Sequence, residues 1–166
     1  MYIKLKDFVA DWKYESEATQ KVFANIHDEI LVQKDNENIR SIGRLCWHIT
    51  ITISEMMNKT GLLINGPEER SNPPQHMSEI SEAYKKSSDE LVVQIQSHWN
   101  DDSLQEENNL YGEPWKNGKT LQILVQHQIH HRGQLTVLMR LHGIKVPGIY
   151  GPAKEEWSQW GLEVEE

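Results

Sequence analysis

The chain reads HQIHHRGQL from His127 to Leu135, in the middle of a long helix-forming stretch near its C-terminus. On a helical wheel with about 100° per residue, His131 lies about 40° from His127 and one turn further along, so both imidazoles leave the same face. Leu124, Leu135 and Leu138 share that face, which therefore points to the core. Two neutral imidazoles are costly to bury unless their ring nitrogens find partners, and a divalent cation satisfies one nitrogen on each. The pair predicts a buried metal site.

A third ligand has to come from another helix, and His48 is the best candidate for it. It falls in a second helical stretch, with Leu45 and Thr52 in nearly the same wheel direction, so its ring can point inward. The alternative, for His48 and for the pair, is a core histidine that hydrogen bonds to a carbonyl or packs at a helix interface. His130 projects about 100° away from His131 and is interpreted as a neighbouring surface residue rather than a ligand.

The other residues around the pair carry separate expectations. Gln128 stands where the HExxH pattern of zinc peptidases needs a glutamate base, so that class is excluded. Gln134, about 20° from His127 on the wheel, is expected either to orient a water or substrate or to fill a gap between helices. Arg132 points away from the metal face and is expected to pair with an acidic residue on a neighbouring helix. Gly133 favours the close approach of a neighbouring backbone or ligand.

Hydrophobic residues recur at three- and four-residue steps over four long stretches, and no segment alternates long enough to suggest a sheet. The predicted helices span roughly 7–31, 41–60, 78–99 and 120–142. Asp7 and Ser78 are the expected N-caps of the first and third helices, and Gly143 is the expected C-cap of the fourth. The pattern predicts an all-α chain whose helices pack as an antiparallel bundle.

The connection between the third and fourth helices is the least regular part of the chain. Its residues, about 100–119, hold no clear periodicity and are rich in Asp, Asn, Gly and Pro, so they predict a loop and a candidate lid. Trp115 in this loop is a candidate to line the mouth of the site. Residues of about 153–160 are expected to form one short terminal helix.

The length and the net charge of the chain limit the classes of protein to which it can belong. The chain of 166 residues is the size of one compact domain, taken here as 1–166. Cys46 is the single cysteine, which rules out an internal disulfide. Because the N-terminus also has no signal-peptide pattern, a cytoplasmic location is expected. No apolar run approaches the roughly 20 residues that cross a bilayer, so no membrane partner is expected. The net charge of −8 repels phosphate backbones and disfavours nucleic-acid binding.

The segment HQIHHRGQL, followed by GIKVPG at 143–148 and preceded by WHI at 47–49, resembles the DinB superfamily, also described as DinB/YfiT-like metalloenzymes. The resemblance implies a four-helix bundle with a long crossover connection, and it favours a homodimer. It also implies a divalent metal held by three histidines, which position by position are His48, His127 and His131. Relatives often have a glutamate where this chain has Gln128, so a role for that carboxylate does not carry over.

Three protein ligands leave a coordination position open, as in catalytic metal sites, where the ion lowers the pKa of a bound water or thiol. Some relatives in the superfamily resemble S-transferases that use bacillithiol, mycothiol or glutathione. The resemblance thus implies transfer of a low-molecular-weight thiol to a small-molecule substrate, in detoxification or stress response. The alternatives are a metal-dependent hydrolase, a non-catalytic metal-binding bundle, and a binding module with metal-free histidines. Zinc is expected from its frequency, and nickel or iron also suits imidazole ligands.

Overall fold

The computed structural model describes residues 1–161 and Glu163, and it is mostly helical. Its long helices are α1 (Leu5–Phe23), α2 (Ile42–Met57), α3 (Met77–His98) and α4 (Asn117–Leu141). Short 3-10 turns lie at Asp28–Ile30, Asn58–Thr60, Asp102–Gln105 and Lys154–Trp160. Two short strands, β1 (Glu107–Leu110) and β2 (Glu113–Lys116), pair antiparallel.

The four helices bury their apolar faces against one another. Helix α2 packs against α3 and α4, and α1 packs against the same two helices. Aromatic side chains fill the centre of this core: Trp12 and Phe8 of α1 stack on each other, and Phe23 meets Tyr84 of α3 edge to face. The prediction of an all-α chain is confirmed in that the chain is mostly helical. No helix within residues 1–161 is long and apolar enough to cross a membrane.

The starts of α1 and α3 differ from the sequence-based expectation. Asp7 and Ser78 do not cap these helices, which begin at Leu5 and Met77 without a cap from the preceding side chain. Carboxylates distant in sequence accept the free amide protons instead. Asp101 Oδ1 accepts from the Leu5 amide at 2.9 Å, and Asp28 Oδ1 accepts from the Met77 amide at 2.7 Å. A rule based on neighbouring residues cannot identify such caps.

The first helix also ends earlier than predicted. Instead of continuing to about 31, α1 ends at Phe23, and the chain turns back through Asp28–Ile30. The backbone at Leu31 then passes close to the start of α2: a Cβ added at Gly43 would lie 2.8 Å from the Leu31 carbonyl oxygen. Glycine is therefore required at this point of α2. The contact holds the segment before α2 against the helix that carries His48.

Helix α2 and the end of α4 follow the local signals in the sequence. Ser41 Oγ accepts a hydrogen bond from the Arg44 amide at 3.2 Å and caps α2. Beyond α4, Gly143 adopts a φ of +71°, the left-handed conformation of a helix C-cap glycine. These two ends set the lengths of the helices that carry the three histidines.

The expectation of an unstructured loop over 100–119, with no sheet in the chain, is wrong in part. Strands β1 and β2 form a hairpin whose two-residue turn is Tyr111-Gly112. Both turn residues have positive φ, +56° and +89°, which is the conformation of a type I′ turn. Each strand has only four residues, too short for an alternating pattern to be recognised.

Candidate metal centre

Three imidazole rings from two helices converge on one point. The Nε2 atoms of His48 on α2 and of His127 and His131 on α4 lie 3.1 Å from each other in all three pairs. The two α4 rings meet because residues four apart share a helix face. The third ring reaches them because α2 packs along α4. His131 is 9% exposed, and the other two rings are half-buried.

Hydrogen bonding among the rings alone cannot satisfy these nitrogens. In a neutral imidazole each nitrogen either donates or accepts, and none does both. Three mutual contacts form a triangle, so at least one contact must join two donors or two acceptors. A cation between the three nitrogens removes this conflict because it accepts a lone pair from each ring.

The spacing of the nitrogens fits a divalent ion. With metal–nitrogen bonds of about 2.0–2.1 Å, ligand nitrogens are about 3.3 Å apart in a tetrahedral site and about 2.9 Å apart when the bonds are at right angles. The observed 3.1 Å lies between these two values. The cluster can therefore hold a metal ion, with coordination positions left over for a further ligand.

Gln134 sets the tautomer of His131. The Gln134 Oε1 atom, which can only accept, lies 2.8 Å from His131 Nδ1, so that nitrogen donates and Nε2 keeps its lone pair. The amide nitrogen of Gln134 lies in turn 3.2 Å from His130 Nε2 at the surface. Gln134 thus contacts a histidine of the cluster directly, rather than filling a gap between helices. The sequence-based placement of His130 outside the cluster is consistent with its exposed side chain.

All three rings are held in the neutral form. Burial, with a contribution from nearby positive charges, lowers the pKa of His127 to about 3 and that of His48 to about 4. Burial also lowers the pKa of His131, although the hydrogen bond that its Nδ1 donates to Gln134 acts in the opposite direction. Metal binding requires unprotonated imidazoles. The site therefore presents three free ring nitrogens at neutral pH without first having to lose protons.

The comparison with known families agrees with the motifs in the sequence. The model of the DinB family matches residues 1–162. The chain belongs to the DinB family. The uncharacterized protein YrdA of Bacillus subtilis (strain 168) is 41% identical over 163 residues, which is 98% of each chain.

Solved structures of DinB-like proteins share the fold. A DinB-like protein from Bacillus cereus ATCC 10987 superposes with a TM-score of 0.86 at 38% identity, covering 90% of this chain and 100% of the other. The DinB-like protein YjoA from Bacillus subtilis gives a TM-score of 0.68 at 20% identity, covering 89% of this chain and 99% of the other. At that identity the second likeness concerns the fold alone.

Gln128 serves packing between helices rather than the cluster. Its amide nitrogen donates to the Ile49 carbonyl at 3.0 Å, and its amide oxygen accepts from the Tyr84 hydroxyl at 3.2 Å. Ile49 follows His48 directly on α2. The fully buried Gln128 therefore ties α4 to α2 and α3 beside the convergence point of the rings.

The expectations for Arg132 and Gly133 have opposite outcomes. Arg132 pairs with Glu15 of α1, as the sequence indicates, and both side chains are buried. The expectation that a neighbouring backbone approaches Gly133 closely is wrong, because a Cβ added there would meet no protein atom within 4 Å. This glycine faces solvent on α4, so its lower helix propensity has no packing reason in the structure.

Two cavities border the cluster on different sides. One, of about 540 Å³, is lined in part by His131 and Gln134. The other, of about 470 Å³, is lined by His48 and His127 and by Tyr111 at the tip of the β1–β2 hairpin. Small molecules can therefore approach the rings from two directions.

The hairpin contributes Tyr111, not Trp115, to the mouth of the second cavity. The Tyr111 hydroxyl donates to Glu55 Oε2 at 2.8 Å, while Trp115 packs edge to face on the Tyr111 ring at 5.8 Å. The prediction that Trp115 lines the mouth of the site is therefore wrong, because Tyr111 is the aromatic residue of the hairpin that lines this cavity. A positive φ at a bulky side chain is costly, and here it keeps Tyr111 at the cavity.

Proposed function

We propose that His48, His127 and His131 bind one divalent metal ion and that the protein is a thiol S-transferase. Zinc is the expected ion, and nickel or iron are the alternatives. The observation that carries the proposal is the convergence of three Nε2 atoms at 3.1 Å beside two open cavities. Family membership supports it, since the chain matches the DinB family along nearly its whole length. The substrate is a small-molecule electrophile of the kind handled in detoxification or stress response.

A bound divalent ion lowers the pKa of a thiol and presents it as a thiolate near neutral pH. The chain's own residues supply the rest. The three histidines hold their lone pairs toward one point, and Gln134 keeps His131 in the tautomer that this requires. Leu45 and Leu138, both buried, give the cavity beside His131 an apolar wall. The cavities leave room for a cosubstrate thiol and an electrophile to meet.

The same proposal includes the architecture and setting of the protein. The contacts of α2 and α1 with both α3 and α4 support a four-helix bundle, with residues 58–76 as its long crossover. We treat residues 1–166 as one domain and place it in the cytoplasm, where low-molecular-weight thiols are kept reduced. A homodimer is favoured by the apolar side chain of Leu141 on α4, which is 64% exposed.

Gln134→Ala is expected to weaken metal binding by about 10–100-fold without unfolding the protein. The variant removes the acceptor that holds Nδ1 of His131 protonated, so the ring can adopt the tautomer that offers no lone pair to the ion. Competition of the protein against a chromogenic chelator measures the dissociation constant. Gln134→Glu keeps an acceptor at this position and should retain most of the affinity, whereas equal affinities in all three proteins would contradict the role of Gln134.

Transfer activity is the direct test of the proposed function. Metal-loaded protein is expected to accelerate the reaction of glutathione or bacillithiol with 1-chloro-2,4-dinitrobenzene by about 10²-fold or more over the uncatalysed rate. In this reaction a carbon–sulfur bond forms, chloride leaves with the bonding electrons, and the thiol proton passes to solvent. Absorbance of the aryl thioether gives the rate. His48→Ala should reduce it to the uncatalysed rate.

The alternatives have distinct outcomes in the same experiment. A non-catalytic structural ion is needed for folding, so removal by a chelator would lower the helical signal in circular dichroism together with the metal content. A catalytic ion should instead leave a folded, inactive protein whose activity returns with metal. Ester hydrolysis that proceeds equally well without thiol would favour the hydrolase, and metal-loaded protein inactive in both assays would contradict an enzymatic role.

A further inference from the structure

The two cavities beside the histidine cluster differ in charge. Among the described residues, the cavity at His131 is lined by apolar side chains together with Asn38, Gln134 and Arg40, and by no carboxylate. The described lining of the cavity at His48 and His127 includes Glu55 and Glu69 but no arginine or lysine, although Lys59 pairs with Glu55 beside it. The cluster therefore lies between a basic and an acidic compartment. Ligands of opposite charge are directed to opposite sides.

In the part of the chain that the structure describes, Arg40 is the only arginine or lysine that lines the first cavity. It directly precedes Ser41, the cap of α2, and its side chain is exposed. Within residues 1–161 and 163, no carboxylate lies in ion-pair distance of its guanidinium, although other cations of the chain have such partners. Asp35 in the same loop faces His142 at 3.5 Å instead. The guanidinium is thus free to bind an external anion.

The position of Arg40 is unfavourable for a metal site unless an anion joins it. Arg40 and His131 line the same cavity, so the guanidinium charge faces the cluster across that cavity. A divalent ion at the cluster would be repelled by the same charge. A ligand that carries negative charge both at the cluster and at Arg40 compensates this repulsion.

On the basis of the function proposed above, we propose that this cavity binds an anionic low-molecular-weight thiol, with its carboxylate paired to Arg40 and its sulfur directed to the histidine cluster. A planar guanidinium matches the two oxygens of a carboxylate. The side chains of Leu45, Val137 and Leu138 line the same cavity and offer an apolar wall to the intervening carbon atoms. A volume of about 540 Å³ suits a small organic molecule.

The acidic cavity is the poorer site for this ligand. Glu55 there accepts from Lys59 at 2.6 Å and from Tyr111 at 2.8 Å, so this lysine is already paired and is not available to an entering anion. A carboxylate entering that side would meet Glu69 with no unpaired cation among the described lining residues. The neutral or cationic electrophile is better suited to it, which leaves the Arg40 side to the thiol.

Binding of two matched thiols to the cobalt-loaded protein tests the inference. The probes are 3-mercaptopropionate, which carries a carboxylate, and 3-mercaptopropionamide, its neutral isostere. The thiolate-to-cobalt charge-transfer band reports the sulfur at the cluster, and its titration gives a dissociation constant for each thiol. We expect the wild-type protein to bind the carboxylate thiol about tenfold more tightly than the amide.

Arg40→Gln should abolish this preference while leaving the affinity for the amide unchanged. Arg40→Lys keeps the charge and should retain part of the preference. Lys86→Gln, which removes the same charge from an exposed position on α3, should behave as wild type. Elemental analysis of each variant checks that its cobalt content equals that of the wild-type protein.

The outcomes separate this inference from the function on which it rests. Equal affinity of the wild-type protein for both thiols, or a preference that persists in Arg40→Gln, would overturn the role of Arg40 while the band still supports thiol activation. No band with either thiol would overturn thiol activation and this inference together. A lower cobalt content in Arg40→Gln would also contradict the inference, because Arg40 would then support the metal site itself.

Discussion

His127→Ala is expected to abolish metal binding, whereas the wild-type protein should carry about one divalent ion per chain after loading and dialysis. Two imidazoles would remain, with their Nε2 atoms 3.1 Å apart, and no other histidine belongs to the cluster among the described residues. The loss of metal affinity should exceed the weakening of about 10–100-fold that follows removal of a residue hydrogen bonded to a metal ligand. Elemental analysis by mass spectrometry measures the metal content.

His98→Ala is the matched control for this experiment. His98 is an exposed histidine at the end of α3, away from the cluster, so its removal should leave the metal content unchanged. Circular dichroism should show that both variants keep their helices. Equally little metal in the wild-type protein and in His127→Ala would disprove the metal site.

Arg132→Ala should lower the free energy of unfolding by about 3–5 kcal/mol. Arg132 and Glu15 are only 3% and 7% exposed, and Arg132 also donates to the Glu15 carbonyl oxygen at 3.0 Å and to Thr19 Oγ1 at 3.1 Å. Removal of the guanidinium leaves a buried carboxylate whose remaining side-chain partner among the described residues is the Tyr150 hydroxyl at 2.8 Å. Urea unfolding followed by circular dichroism gives the change.

Two controls identify the cause of this destabilisation. Lys85→Ala removes one member of an exposed ion pair with Asp89 on α3 and should cost within about 0.5 kcal/mol, because water screens that pair. The double variant Glu15→Leu/Arg132→Met leaves no unpaired charge and should recover most of the lost stability. A cost below about 1 kcal/mol for Arg132→Ala would show that water or another residue compensates the carboxylate.

The helices could be predicted from the sequence because their signals are local. Apolar residues at three- and four-residue steps identify the buried face of each helix, and Ser41 and Gly143 lie within one turn of the ends that they determine. The same periodicity places His127 and His131 on one face. The family resemblance, based on that segment, is confirmed by the match over residues 1–162.

Other features depend on residues far apart in the chain. Asp101 and Asp28 cap helices that start far from them in sequence, so no local pattern could have identified these caps. The hairpin that carries Tyr111 has strands of four residues, and its turn includes a bulky side chain where sequence rules expect glycine or asparagine.

The amino-acid sequence alone determined the four amphipathic helices, the facing pair His127 and His131, and the family, because each depends on spacing along a single stretch of chain. Only the tertiary structure decided that the His48 ring meets that pair, that Gln134 sets the tautomer of His131, and that Arg40 borders the cavity. These arrangements depend on how α2 and the segment before it pack on α4. Packing of this kind arises from side-chain fit across the whole core rather than from any local pattern.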